Sequence, residues 1–106
     1  MTSNEILTTL LTDTRIRGAF RRNHLHQAYL VGSYARGQQQ SDSDVDVMYV
    51  KRQGVPFTLM NIGDLQSTLE EVLQRSVDLI PASAIRPELQ KGILQDAKHI
   101  YDDPQE

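Results

Sequence analysis

Apolar residues recur with helical spacing from the start of the chain: Ile6, Leu7, Leu10 and Leu11 fall at i, i+1, i+4 and i+5. Thr2 and Glu5 stand ahead of them at capping-box spacing, with Ser3 and Asn4 as alternative starts. Asp13 is placed to cap a second helical piece through Ile16, Ala19 and Phe20, weakened by Gly18. The pattern leaves open whether this is one bent helix or two. From Gln27 to Val31 the period becomes that of a strand, with Ala28 and Leu30 on one face and Tyr29 and Val31 on the other. Apolar residues on both faces predict an internal strand.

Gly32-Ser33 ends that strand, Tyr34 to Arg36 makes a short helix or turn closed by Gly37, and Gln38 to Asp42 is a polar connector. A second strand runs from Asp44 to Val50, with Val45, Val47 and Tyr49 on one face and Asp44, Asp46 and Met48 on the other. Lys51 to Pro56 reads as a loop. A helix then fits Thr58 to about Gln74, with Leu59, Ile62, Leu65, Leu69, Val72 and Leu73 on its packing face. Ser76 to Ile80 is the third strand, bounded by Pro81. Pro87 opens a last helix that packs through Leu89, Ile93, Leu94 and Ala97. Ile100 and Tyr101 suit a final extended segment, and Asp102 to Glu106 a frayed tail. The order α-β-α-β-α-β-α predicts an α/β (α+β) fold, a small sheet flanked by helices.

With 106 residues, the chain is expected to be one domain over positions 1–106. It has no cysteine, which removes disulfides, thiolate metal sites and a cysteine nucleophile. The N-terminus lacks a basic stretch followed by an apolar one, and no apolar run approaches the roughly 20 residues that span a bilayer. A cytoplasmic protein without membrane contact is expected. The net charge of −3 argues against general nucleic-acid binding. Arg15, Arg17, Arg21, Arg22, His24 and His26 form a local basic cluster, either a solvated helix face or a surface for an acidic partner or phosphates. The histidines form no metal-ligand constellation.

Candidate chemistry concentrates between the first two strands. Asp44 and Asp46, at i and i+2, point the same way with their carboxylates close together. Like charges so near need a proton, an arginine or a metal, and a hard, oxygen-preferring cation such as Mg²⁺ suits them. Asp42 and Asp44 have the same spacing, so spacing alone does not choose between the pairs. Gly32 at the strand end lets the backbone approach a ligand, and Ser33 adds a hydroxyl beside exposed N–H groups. Arg36 on the same turn either faces phosphate or ties down the loop. Asp78 is the lone charge in Val77-Asp78-Leu79-Ile80 and is placed to join the pair if its strand is adjacent.

Gly32-Ser33, ten intervening residues and Asp44-Val45-Asp46 resemble the Gly-Ser-x10-Asp-x-Asp signature of the minimal nucleotidyltransferase (MNT) family. That family lies in the DNA polymerase beta-like superfamily. The longer run Gly-Ser-Tyr-Ala-Arg-Gly through Ser43-Asp44-Val45-Asp46-Val47 extends the likeness, with Val47 where leucine is commoner. The resemblance chooses Asp44 and Asp46 over Asp42 and Asp44, and implies a mixed sheet. It also implies two Mg²⁺ ions held by Asp44, Asp46 and Asp78, with Gly32 and Ser33, and less firmly Arg36, at the triphosphate of ATP. Small members of the family pair as antitoxins with HEPN-domain toxins, which implies transfer of AMP to a tyrosine of such a partner in a hetero-oligomer. Two other functions compete: a non-catalytic antitoxin or scaffold that neutralises its partner sterically, and transfer to a small-molecule hydroxyl.

Overall fold

Thr2 donates its N–H to Glu5 (2.9 Å) and accepts from the Glu5 N–H (3.1 Å), the reciprocal pair that opens α1 (Ser3–Thr12). Asp13 has extended backbone, so the helix stops there, and its carboxylate accepts from the N–H groups of Arg15 and Ile16 to open α2 (Thr14–Arg22). The question of one helix or two is thereby decided in favour of two. The structure is a computed structural model that describes residues 1–103. After α2 come β1 (Leu25–Val31), α3 (Gly32–Arg36), β2 (Val45–Lys51), α4 (Leu59–Leu73) and β3 (Val77–Pro81). A 3₁₀ turn (Ala82–Ala84), α5 (Pro87–Asp96) and β4 (Lys98–Asp102) complete the described chain.

The strands lie in the order β3-β2-β1-β4, with β1 antiparallel to both neighbours and β2 parallel to β3. The parallel pair requires a crossover, and α4 provides it. The sheet is therefore mixed, and β1 is internal as its two apolar faces require. One face carries Ala28, Leu30, Val45 and Val47, all buried against Ile6, Leu10, Ile16 and Phe20 of α1 and α2 and Leu65, Leu69 and Leu73 of α4. Each of these side chains except Ala28 stabilises the fold by about 1.5–3 kcal/mol relative to exposure. The other face carries Tyr29, Asp46 and Met48 and is crossed by α5, none of whose residues is fully buried.

Several sequence expectations need correction. Leu59, the first residue of α4, belongs to its apolar stripe but is 84% exposed, as is Met60 beside it, so the start of the helix stays outside the core. Leu89 and Leu94 stay about half exposed, so the α5 stripe does not enter the core, and Ala97 caps the helix instead of packing within it. The extended segment at Ile100 and Tyr101 is a full strand that reaches Asp102, with the Tyr101 ring tilted at 49° against Phe20, 5.2 Å between centroids. Asp103 is no frayed residue: it is buried and paired with Arg52 at 3.1 Å. The expected tail beyond it, residues 104–106, lies outside the described residues.

Two members of the basic cluster have structural contacts. Arg17 donates to the carbonyls of Leu10 and Ile100 and lies over the Phe20 and Tyr101 rings. Arg22 grips Asp64 at 2.7 Å, joining α2 to α4. Buried Asn23 donates to the same carboxylate (2.7 Å) and accepts from Asn61 (2.9 Å). No helix of the described residues is long and apolar enough to cross a membrane.

Candidate active site

Strand ends place the candidate residues. At the last residue of β1, Val31 is the register partner of Asp46 in β2, and Asp46 is in turn the register partner of Asp78 in β3. Paired residues on adjacent strands share a face, so Asp46 and Asp78 lie side by side at one end of the sheet. β2 begins at Val45, whose N–H bonds to the Ser76 carbonyl (2.9 Å), so Asp44 is the last residue of the loop and not a strand residue. Asp44 and Asp78 are exposed, whereas Asp46 is partly buried.

Gly32 turns the chain from β1 into α3 with φ +71°. A Cβ added there would overlap the Asp46 carboxylate oxygen and lie 3.1 Å from its Cγ. Glycine is thus required twice, for the left-handed backbone and for the approach of Asp46. No side chain caps the start of α3, and Gly37 (φ +68°) ends it with its N–H on the Ser33 carbonyl. The Ser33 hydroxyl has no partner among the described residues. Arg36 donates Nε to Gln38 Oε1 at 3.1 Å and is exposed.

Desolvation raises the Asp46 pKa above its usual value, the charges of Asp78 and then Asp44 push it further, and Arg36 opposes them. The three acids and the arginine therefore share one electrostatic neighbourhood. Among the described residues no three His, Cys, Asp or Glu side chains are gathered tightly enough to form a ready-made metal cage. What the donor set offers is oxygen only, with a partly buried carboxylate beside another in register. A hard divalent cation suits such a pair and relieves its repulsion.

A cleft of about 470 Å³ opens over this end of the sheet. Val31, Gly32, Arg36 and Asp46 form one side, and Ile80, Ile85, Leu89, Gly92, Ile93 and Asp96 form the other. Of the residues singled out in the sequence, Gly32, Arg36 and Asp46 meet in the cleft. Asp78 adjoins it through Asp46, Ser33 follows the lining residue Gly32, and Asp44 lies two residues before Asp46; neither Ser33 nor Asp44 lines the cleft itself. The opposite wall was not foreseen as part of a site. Its signal was present: Leu89, Ile93 and Asp96 recur at i, i+4 and i+7 on one helix face.

Residues 14–106 match the family described as polymerase beta, nucleotidyltransferase. The chain belongs to that family. This nucleotidyltransferase is 33% identical over 69 residues to the protein adenylyltransferase MntA of Thermococcus cleftensis, covering 65% of this chain and 68% of the relative. It is also similar to a chain in a crystal structure of a toxin–antitoxin with AMP-PNP, with 25% identity, TM-score 0.66, and 90% and 77% of the two chains covered. A further neighbour is in the structure of a tri-AMPylated Shewanella oneidensis HEPN toxin in complex with MNT antitoxin. There the nucleotidyltransferase shares the fold at TM-score 0.60 and 19% identity, over 97% of its own length and 75% of the neighbour.

Proposed function

We propose that this chain, as one nucleotidyltransferase domain over residues 1–106, transfers AMP from ATP to a tyrosine of a HEPN-type toxin and so acts as its cytoplasmic antitoxin. The observation that carries the reading is the contact of Asp46 with Gly32 at the strand ends, with Asp78 in register beside it. That arrangement joins an acid pair to a donor-rich turn, as nucleotidyl transfer demands. The kinship with a protein adenylyltransferase, and with an antitoxin seen beside AMP-PNP, supports both the nucleotide and the protein partner.

In this reading Asp46 with Asp44 and Asp78 would hold Mg²⁺, two ions being expected, which supplies positive charge to the attacking and departing oxygens. Gly32 admits the phosphates to the backbone N–H groups that open α3, the Ser33 hydroxyl donates to them, and Arg36 pairs with their charge. The tyrosine oxygen attacks the α-phosphorus as the bond to the bridging oxygen breaks, and pyrophosphate leaves. Asp78, exposed and in register beside Asp46, would accept the hydroxyl proton.

Mass spectrometry of a co-expressed toxin partner tests the reading. Wild-type protein is expected to leave adenylyl mass on a partner tyrosine, and Asp44→Asn or Asp46→Asn to leave none. Undiminished transfer by both variants would remove these acids from the mechanism. Neutralisation by the doubly substituted protein without any added mass would favour steric binding.

A further inference from the structure

Asp96 is the last residue of α5 and lines the cleft opposite Asp46. The residue is exposed, and its charge does not help the helix that carries it. A negative charge at a helix C-terminus opposes the helix dipole, and the Asp96 carboxylate has no hydrogen-bond or ion-pair partner among the described residues. Its place along the cleft is fixed by topology. α5 runs back along the sheet from the far end of β3, and Lys98, two residues beyond Asp96, pairs with Leu30 just ahead of the Val31–Gly32 turn. Asp96 therefore stands at the end of the cleft where Gly32, Arg36 and Asp46 lie, while Leu89 and Ile85 lie toward the opposite end.

Three chemistries are thus laid out in order. The Gly32–Arg36 turn offers donors, Asp96 offers a bare acceptor, and Ile93, Leu89 and Ile85 offer an apolar wall. A nucleotide presents phosphate, then sugar hydroxyls, then a flat base in the same order. A carboxylate repels phosphate and receives hydroxyl donors, a pairing used repeatedly to hold ribose.

Resting on the nucleotide-binding reading above, we propose that Asp96 accepts a hydrogen bond from a ribose hydroxyl and makes this a ribonucleotide site. It is a specificity residue and takes part in none of the bonds that change.

Calorimetric binding of AMP-PNP and its 2′-deoxy and 3′-deoxy counterparts, each with Mg²⁺, tests this without partner or turnover. Wild-type protein is expected to bind at least one deoxy form about tenfold more weakly than AMP-PNP. Asp96→Ala is expected to bind AMP-PNP as weakly as that deoxy form and to discriminate no further. Asp96→Asn, which keeps an acceptor oxygen but no charge, is expected to fall between them. Both variants should melt no lower than wild type, since they remove a charge opposed to the dipole, and a clear fall in melting temperature would assign Asp96 a structural role instead. Equal binding of all three nucleotides to wild type, or an equal loss for all three in Asp96→Ala, would overturn the proposal. Failure of wild type to bind AMP-PNP at all would strike the nucleotide reading itself.

Discussion

At Gly32 the backbone holds φ +71° while the Asp46 carboxylate presses against its α-carbon. Gly32→Ala should cost about 1–2 kcal/mol through the left-handed backbone alone. It should also displace Asp46, and a shift of about 1 Å at a reacting centre can lower rates about 100-fold. The expected outcome is thus a larger loss in transfer rate than the loss in stability explains, read from activity and thermal melts on the same protein. The neighbouring acid carries its own signature. Because the Asp46 pKa is raised, ionised Asp46 opposes folding above its folded pKa and is harmless below the unfolded value of about 3.8. Asp46→Asn should accordingly raise the melting temperature by a few degrees at neutral pH, and the gain should vanish at pH 3. A gain that persists at pH 3 would show that the charge is not its source.

Between elements, the join of α2 to α4 works in the opposite sense. Arg22, Asn23 and Thr68 hold the Asp64 carboxylate, whose pKa is depressed from 3.8 to about 2 by the hydrogen bonds of Arg22 and then Asn23. A depressed carboxylate contributes stability above its unfolded pKa and loses it as pH falls through the folded one. Melting temperature should therefore fall between pH 4 and pH 2, and Asp64→Asn should flatten that part of the curve. Solvent screening at this half-open bridge keeps the contribution to about 1 kcal/mol or less. Element boundaries of this kind were legible where caps are chemical. Thr58 and Gln74 flank α4 as expected, the first by accepting from the helix, the second by adopting φ 54°. The role of α5 was not legible, because an apolar stripe at Leu89 and Ile93 reads the same whether it meets a core or lines a cleft. The Asp46–Asp78 register was equally hidden, since strand adjacency is decided by the α4 crossover and by no local pattern.

Over the whole molecule, one face of the sheet is sealed by α1, α2 and α4, while the other is bridged by a helix with no fully buried residue. Local stability follows buried apolar contact, so α5 should open more readily than α4. Hydrogen exchange is expected to be faster in α5 amides than in α4 amides, and AMP-PNP should slow it in α5 above all. Equal protection of the two helices in the free protein would contradict this. On that expectation the α5 wall and the sheet floor of the cleft belong to different cooperative units, and a ligand that touches both couples them.

The parallel pairing of β2 with β3 has a consequence for how the chain assembles. β1 and β2 are close in sequence, but β3 docks only after α4 has closed a long loop, and contacts of that kind form late. When it docks, Asp78 is brought beside Asp46, against like charge. That docking step therefore runs uphill electrostatically, and salt should ease it. Stopped-flow refolding is expected to quicken as ionic strength rises, and Asp78→Asn to fold faster and respond less. A salt response unchanged in that variant would place the electrostatic barrier elsewhere.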